Sequence, residues 1–525
     1  MSKTNSSFNL IIVALTVALG GFLMGFDASV ISGAIKFINI EFELTDVQKG
    51  FAVACLTLTS TIAMLFAGPV SDKIGRKKTL IYAASLFFIS AVYSALSPNY
   101  IHLIIARMIG GLGVGAALIV PPMYIAEIAP PKSRGRLVSF NQLNIVIGLS
   151  AAFFTNYMIL QMGDSGSDFA MNLNIQGNNW RYMLALEALP AILYFLFLFT
   201  VPESPRWLAM RGLDDQAVKV MARFEGEENA SKEYEAIKKS LKSDTVSTKL
   251  PLKELFKPAM KFVLTIGVVI AILQQITGIN AVFFYAPMIF EQTGIGTDAS
   301  FANAVIIGLT NLVFTIVAIA FVDRLGRKPL LAFGLAGIII TMFMLASGFR
   351  SAEYKLDSAA IAKLELHENY AEFSAVKQLE GTTFKNDVEF KDKVFEVLGD
   401  NVARKYESDI LTAAITINSW LVLISIIGFV ASFAVSLGPV MWILFSELFP
   451  DRLRGLAISF VGVINSAISF SVQQIFPWEL NNIGSSGTYF IYGMFAVAGL
   501  VFVLLKIPET KGKSLEELEE LLVKE

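Results

Sequence analysis

Cysteine and histidine are almost absent from this chain of 525 residues: Cys55 stands alone, and the only histidines are His102 and His367. A single cysteine excludes an intramolecular disulfide, and so few soft ligands cannot assemble a Cys/His metal site. No His, Cys or Ser constellation supports covalent catalysis. No catalytic residue, metal or cofactor is therefore expected, and the chain does not read as an enzyme. Charge is scarce as well. Charged residues make up 16% of the chain, well below the roughly 25% of a soluble domain. The net charge of -2 gives no bulk attraction to nucleic acid.

Apolar residues fill the space that charge leaves. Hydrophobic residues reach 54% and the mean hydropathy is +0.61. A helix crossing a bilayer needs about 20 mostly apolar residues. Uncharged runs of that kind lie at 50–71, 79–101, 137–163, 262–290, 299–322, 331–349, 455–478 and 480–505. The run at 410–446 is read as one long helix broken near Gly438-Pro439, because proline removes a helical hydrogen bond. Three more spans carry one internal charge each: 10–35 with Asp27, 102–127 with Arg107 and 181–200 with Glu187. That makes twelve. The polar first nine residues run straight into the first span with no small-residue cleavage site, so this segment reads as a span and not as a removed signal peptide.

Two devices order these spans. The string DKIGRK at 72–77 recurs as DRLGRK at 323–328, each copy between two spans, which marks a duplicated architecture. The second device is the distribution of basic residues. With the N-terminus inside, the short cytoplasmic loops hold Lys73, Arg76, Lys77, Lys78, Lys132, Arg134, Arg136, Arg324, Arg327, Lys328, Arg452 and Arg454, against Lys36, Lys49 and Arg181 outside. The positive-inside rule then places both termini in the cytoplasm of a multi-pass cell-membrane protein. The organisation expected is an N-terminal bundle (1–202), a Lys/Glu-rich helical linker (203–258), a C-terminal bundle (259–505) and a cytoplasmic tail (506–525). The second bundle carries an external insert (350–409) of amphipathic, solvated helices.

Further strings carry a family resemblance: GFDASVISGAI (25–35), RMIGGLGVGAA (107–117), PMYIAEIAPPKSRG (122–135), NNWRYMLALEALPA (178–191), PESPRWL (202–208), QQITGINAVFFYAP (274–287), GPVMWILFSELFP (438–450) and PETKGKSLEELE (508–519). In this order they resemble the sugar porters of the major facilitator superfamily. The resemblance implies an all-α membrane protein of twelve helices in two six-helix bundles, transporting sugar by alternating access around a central cavity. A small-molecule sugar, a proton and the bilayer are the implied partners, and a monomer is expected.

Physics gives several positions an independent meaning. Polar side chains in mid-span must face a partner or a cavity. Gln142 (span 5), Gln274, Gln275 and Asn280 (span 7), Asn311 (span 8), Trp442 (span 10) and Asn465 (span 11) are such positions. Amides that donate and accept suit a polyol, and an aromatic face suits a sugar ring. The competing role is glue between helices. In the family that the chain resembles, the matching residues contact the sugar. Thr277-Gly278 can loosen span 7 and turn Asn280 toward the glutamine pair. Ser466, Ser469, Met24 and Phe284 depart from the usual Trp, Asn, Phe and Tyr, so substrate identity does not carry over.

Asp27 is a carboxylate within the membrane, with Arg107 and Glu187 as its expected partners. Proton-coupled sugar porters resemble this chain in having Asp at that position, whereas uniporters often have Asn. The leading reading is thus proton symport of a monosaccharide or related polyol. The alternatives are a uniporter and, further off, a transporter-like sugar receptor. Matching sets of charges, Asp72, Arg76, Glu127, Arg134 and Glu203, then Asp323, Arg327, Glu447, Arg454 and Glu509, are expected to form a cytoplasmic gate holding the bundles together. Lys77, Lys78 and Lys328 are accounted for by topology alone. The glycines of GGLGVG (110–115) lack dinucleotide spacing, and Gly111 and Gly115 are assigned to close helix packing.

Overall fold

The computed structural model describes residues 3–130, 133–225, 230–231, 234–235, 237–239, 252–450, 452–513 and 515–522. Among them, twelve helices are long and apolar enough to cross a bilayer, as the sequence predicts. Spans 1 to 6 are Asn9–Phe42, Asp46–Ile74, Arg76–Ala95, Tyr100–Ile128, Leu137–Asp164 and Gln176–Leu198. Spans 7 to 12 are Pro258–Phe284, Thr297–Val322, Arg327–Arg350, Ser419–Leu448, Arg454–Asn482 and Ser485–Lys506. Their outward faces carry large apolar side chains such as Phe333 and Leu505. Water would make this surface a liability, but a hydrocarbon surround makes it neutral.

The chain divides into two compact units. The first comprises Met1–Ala28, Cys55–Ala152 and Leu184–Glu254; the second comprises Ser29–Ala54, Phe153–Met183 and Leu255–Glu525. In the first unit, span 4 approaches span 2 through its small residues. A Cβ on Gly111 would strike Thr59, and one on Gly115 would lie 2.6 Å from Ala63 Cβ, so the packing assigned to these glycines is what the structure shows. The linker helices Pro205–Met210 and Asp214–Glu225 close over Leu208, Ala217, Met221, Ala230 and Tyr234. Part of the stretch 231–243 lies outside the described residues.

Three spans are interrupted, and each interruption has a local cause. Span 6 loosens at Leu186-Glu187, one turn before Pro190, whose missing N–H leaves the Leu186 carbonyl without its helical donor. Span 7 breaks at Gly278, which adopts φ 90°, a left-handed conformation that L side chains resist. Span 10 breaks at Ser436 (φ −119°, ψ −94°), because Pro439 has no N–H for the Val435 carbonyl. The sequence reading places the start of this last span too early. Residues 410–414 end a helix of the insert, Asp400–Ala414, and the span begins at Ser419.

The insert is a small folded body and not a set of solvated helices. Strands β1 (Glu353–Lys355), β2 (Thr383–Phe384) and β3 (Ile415–Thr416) form an antiparallel sheet in the order β2-β1-β3. Tyr354, Phe373, Phe390, Val394, Tyr406 and Ile410 fill its core. His367 packs edge-on against Phe373 and Tyr406, which gives that histidine a structural role. Buried Asp387 accepts from the backbone and hydroxyl of Ser485 at the start of span 12, both at 2.8 Å. Lys391 donates to Asn481 of span 11 at 2.8 Å and pairs with Glu407 at 3.3 Å. Burial pushes the Glu407 carboxyl up, but Lys391, Lys49 and Arg404 outweigh it and hold the group below the usual glutamate range.

Candidate functional site

The break at Gly278 makes the centre of the second unit. It lets the short helix Ile279–Phe284 restart at a new angle, and Asn280 Nδ2 then donates to Gln275 Oε1 at 2.8 Å. Gln275 Nε2 in turn donates to Gln274 Oε1 (3.1 Å) and Asn465 Oδ1 (3.2 Å). Asn465 Nδ2 donates to Gln274 Oε1 (2.8 Å) and to the Ala271 carbonyl (2.9 Å). Gln274 Nε2 donates to the Leu437 carbonyl (3.3 Å), beside the break in span 10. Four of the seven amide and aromatic positions singled out by the sequence therefore form one connected cluster. Asn280 is its half-buried member, and the other three are buried.

Two residues extend the cluster. Asn280 Nδ2 also donates to Ser469 Oγ at 2.7 Å, and Gln473 Nε2 donates to the same oxygen at 2.8 Å. Ser469 was visible in the sequence only as a departure from the family pattern, and Gln473 was missed. The signal was present: Asn465, Ser469 and Gln473 follow one another at four-residue steps along span 11. Trp442 is 40% exposed, with its ring set edge-on to Phe445, and Asn311 is buried in span 8. In the first unit, Gln142 is exposed, while the preceding Asn141 is buried against Gly21 of span 1.

The first unit also brings together two of the three charges expected to couple. Arg107 Nη1 lies 3.6 Å from Asp27 Oδ1, and both side chains are buried. Asp27 Oδ2 accepts no hydrogen bond from any described residue and sits over Gly110, where a Cβ would stand 2.6 Å away. Glu187 is buried at the loosened turn of span 6, and its Oε1 likewise has no partner among the described residues. A buried carboxylate needs compensation. One ion pair at 3.6 Å, longer than a charge-assisted hydrogen bond, supplies only part of it.

The duplicated strings build duplicated clamps, each closed within its own unit. Gly75 (φ 104°) and Gly326 (φ 94°) start spans 3 and 9, and a Cβ at either would strike Glu203 or Glu509 respectively. Glu203 accepts from the backbone of Arg76 (2.9 Å) and Lys77 (3.1 Å). Glu509 accepts from Arg327 and Lys328, both at 3.1 Å. Burial raises the Glu509 carboxyl, yet the backbone N–H groups of Lys511, Arg327, Lys328 and Thr510 together bring it below the usual range. Arg76 Nη2 pairs with Glu127 at 2.9 Å, and Arg327 Nη2 with Glu447 at 2.8 Å. Ser204 and Thr510 hydroxyls donate to the same two glutamates. Asp72 joins the first clamp at 2.7 Å.

Lys77 and Lys328, assigned only to topology from the sequence, do more. Each Nζ donates at 2.9 Å to a carbonyl ending a span, Phe199 after span 6 and Leu504 in span 12. Arg454 Nε donates to the Phe449 carbonyl at 3.1 Å. The side chains of Arg134 and Asp323 lie outside the described residues.

Comparison with known proteins shows the family and the fold. The profile of the sugar (and other) transporter family matches residues 13–363 and 395–522. The chain is 33% identical over 524 residues to the arabinose-proton symporter of Bacillus subtilis, covering 100% of this chain and 97% of that one. It is 34% identical over 552 residues to the D-xylose-proton symporter of Escherichia coli K12, covering 99% and 97%. Among solved structures, the inward-open xylose transporter XylE of E. coli superposes with a TM-score of 0.73 at 32% identity, covering 98% of this chain and 100% of that one.

Proposed function

The chain belongs to the sugar (and other) transporter family, and on that premise we propose that it carries a monosaccharide or related polyol across the cell membrane together with a proton, by alternating access. Gln142, Gln274, Gln275, Asn280, Asn311, Trp442 and Asn465 form the sugar site in this reading. Gln274, Gln275, Asn311 and Asn465 offer hydrogen-bonding groups in a buried setting, Asn280 is half-buried, Gln142 is exposed, and Trp442 offers an exposed ring face. Arabinose and xylose, which the similar symporters carry by name, are the first substrates to test. Both termini lie in the cytoplasm, and the clamps around Arg76 and Arg327 keep the cytoplasmic ends of the spans in register while the cavity opens and closes. Arg134 and Arg454 serve the cytoplasmic gate at equivalent places in the two halves.

The observation that carries the coupling is Asp27: a buried carboxyl with one oxygen near Arg107 and the other without a donor among the described residues. Protonation of the free oxygen removes a buried charge at little structural cost, and deprotonation restores the pair with Arg107. Asp27→Asn keeps the shape and cannot titrate. In proteoliposomes it is expected to abolish uphill accumulation while sugar counterflow persists. Undiminished gradient-driven uptake by this variant would remove Asp27 from the coupling mechanism.

A further inference from the structure

The direction of every hydrogen bond in the amide cluster follows from two fixed ends. Backbone carbonyls cannot donate, so the donors facing Ala271 O and Leu437 O must be the NH2 groups of Asn465 and Gln274. Their side-chain oxygens are then acceptors, and Gln275, which faces both, must present its NH2 to them. That leaves Gln275 Oε1 turned toward Asn280, which must answer with Nδ2. The second N–H of Asn280 goes to Ser469 Oγ. Both its donors are consumed, and its Oδ1 makes no hydrogen bond to any described residue. Flipping Asn280 alone would set oxygen against oxygen, and flipping the whole cluster would set NH2 groups aside from the two carbonyls.

Ser469 accepts from two amides. A hydroxyl has two lone pairs and one proton. Asn280 and Gln473 use both lone pairs, at 2.7 and 2.8 Å. The Ser469 proton has no acceptor among the described residues. At the half-buried edge of an otherwise self-satisfied cluster, two groups therefore remain to be answered: one acceptor, Asn280 Oδ1, and one donor, Ser469 Oγ–H.

We propose that Asn280 and Ser469 together read one sugar hydroxyl in a single sense, the hydroxyl donating to Asn280 Oδ1 and accepting from Ser469 Oγ–H, with Gln473 as the positioning residue that leaves the serine proton free. The ligand in this inference rests on the transport reading; the polarity of the cluster does not. The substrate class is narrowed to sugars with an unsubstituted hydroxyl at that position. Fluorine there fails because it cannot donate, and an ether fails for the same reason.

Two experiments test it. The first needs no ligand and compares unfolding of Asn280→Asp and Asn280→Leu at pH 8 in detergent. A carboxylate places one oxygen against Gln275 Oε1, which cannot donate to it, so Asn280→Asp should unfold at a lower denaturant concentration than Asn280→Leu. An Asp variant as stable as the parent would overturn the polarity. The second measures competition against radiolabelled D-xylose by its monodeoxy and monofluoro derivatives. At one carbon, deoxy and fluoro forms should both bind at least about tenfold more weakly, in the range for leaving a buried partner unpaired. Gln473→Glu replaces the donor facing Ser469 with an acceptor and so captures the serine proton. The loss on removing that hydroxyl should then shrink severalfold at that carbon alone, a pattern that general loosening would not produce. A flat scan with D-xylose bound, or a scan unchanged by Gln473→Glu, would overturn the hydroxyl assignment. If D-xylose does not bind, the same scan is run with L-arabinose, and if neither sugar binds while the Asp variant is the less stable, the polarity stands and the sugar reading is what fails.

Discussion

The two clamps share their chemistry and differ in burial, and that difference sets the size of a measurable effect. Arg76 and Glu127 have side chains 4% and 9% exposed, against 11% and 17% for Arg327 and Glu447. Each glutamate also accepts one hydroxyl, from Ser204 or Thr510, so this contribution cancels in a comparison. Removing Glu127 leaves a buried guanidinium whose remaining carboxylate, Asp72, is 52% exposed and compensates little. Breaking a buried pair from one side costs about 3–5 kcal/mol. Where water reaches both partners, the loss is nearer the roughly 1.5–3 kcal/mol of a hydrogen bond to a charged group. Glu127→Ala should thus destabilise the protein by about 1–2 kcal/mol more than Glu447→Ala, the difference between those ranges. Equilibrium unfolding in mixed detergent micelles reads this directly, with Glu127→Gln expected to fall between the parent and Glu127→Ala. Equal losses in the two halves, or a larger loss for Glu447→Ala, would refute the argument from burial.

Gly278→Ala should destabilise by about 2–4 kcal/mol, combining the cost of a left-handed non-glycine residue with overpacking against the Tyr492 ring. Sugar affinity should fall with it, because Asn280 loses its angle; an unchanged unfolding midpoint would show that the backbone turn is unstrained. Glu407 makes stability depend on pH in the insert. Its carboxyl is held below the ordinary glutamate value when folded, so its contribution is fully present above that value and is lost as pH falls through the lower folded one. Glu407→Gln should flatten the acid limb of the unfolding curve, and an acid limb identical to the parent's would exclude this residue.

Much of this was legible in the residues themselves. The spans could be counted because an uncharged apolar run of bilayer length has little place in a water-soluble fold, and the break in span 7 could be placed because glycine beside Thr277 invites one. Span 10 was overextended because the helix Asp400–Ala414 ends in an uncharged stretch that merges with the run beyond it. The sheet of the insert was hidden because strands of two and three residues are too short to show alternation. The amides were recognisable as polar residues in mid-span, but their mutual satisfaction was not. The bond between Gln275 and Asn465 joins positions 190 apart, and only the tertiary fold decides which amide answers which. Lys77 and Lys328 were concealed by their own adequacy: positive charge was expected there, so a second role as carbonyl caps left no separate trace.

Movement of sugar and proton in one cycle is the central claim, and proton flux on sugar addition tests it most directly. Purified protein in proteoliposomes, suspended in weakly buffered medium with no imposed gradient, is given D-xylose or L-arabinose while external pH is recorded. The account predicts alkalinisation of the medium that begins with sugar entry, saturates with sugar concentration and is absent from liposomes without protein. Sugar entry at full rate with no change in external pH would contradict it and make the protein a uniporter.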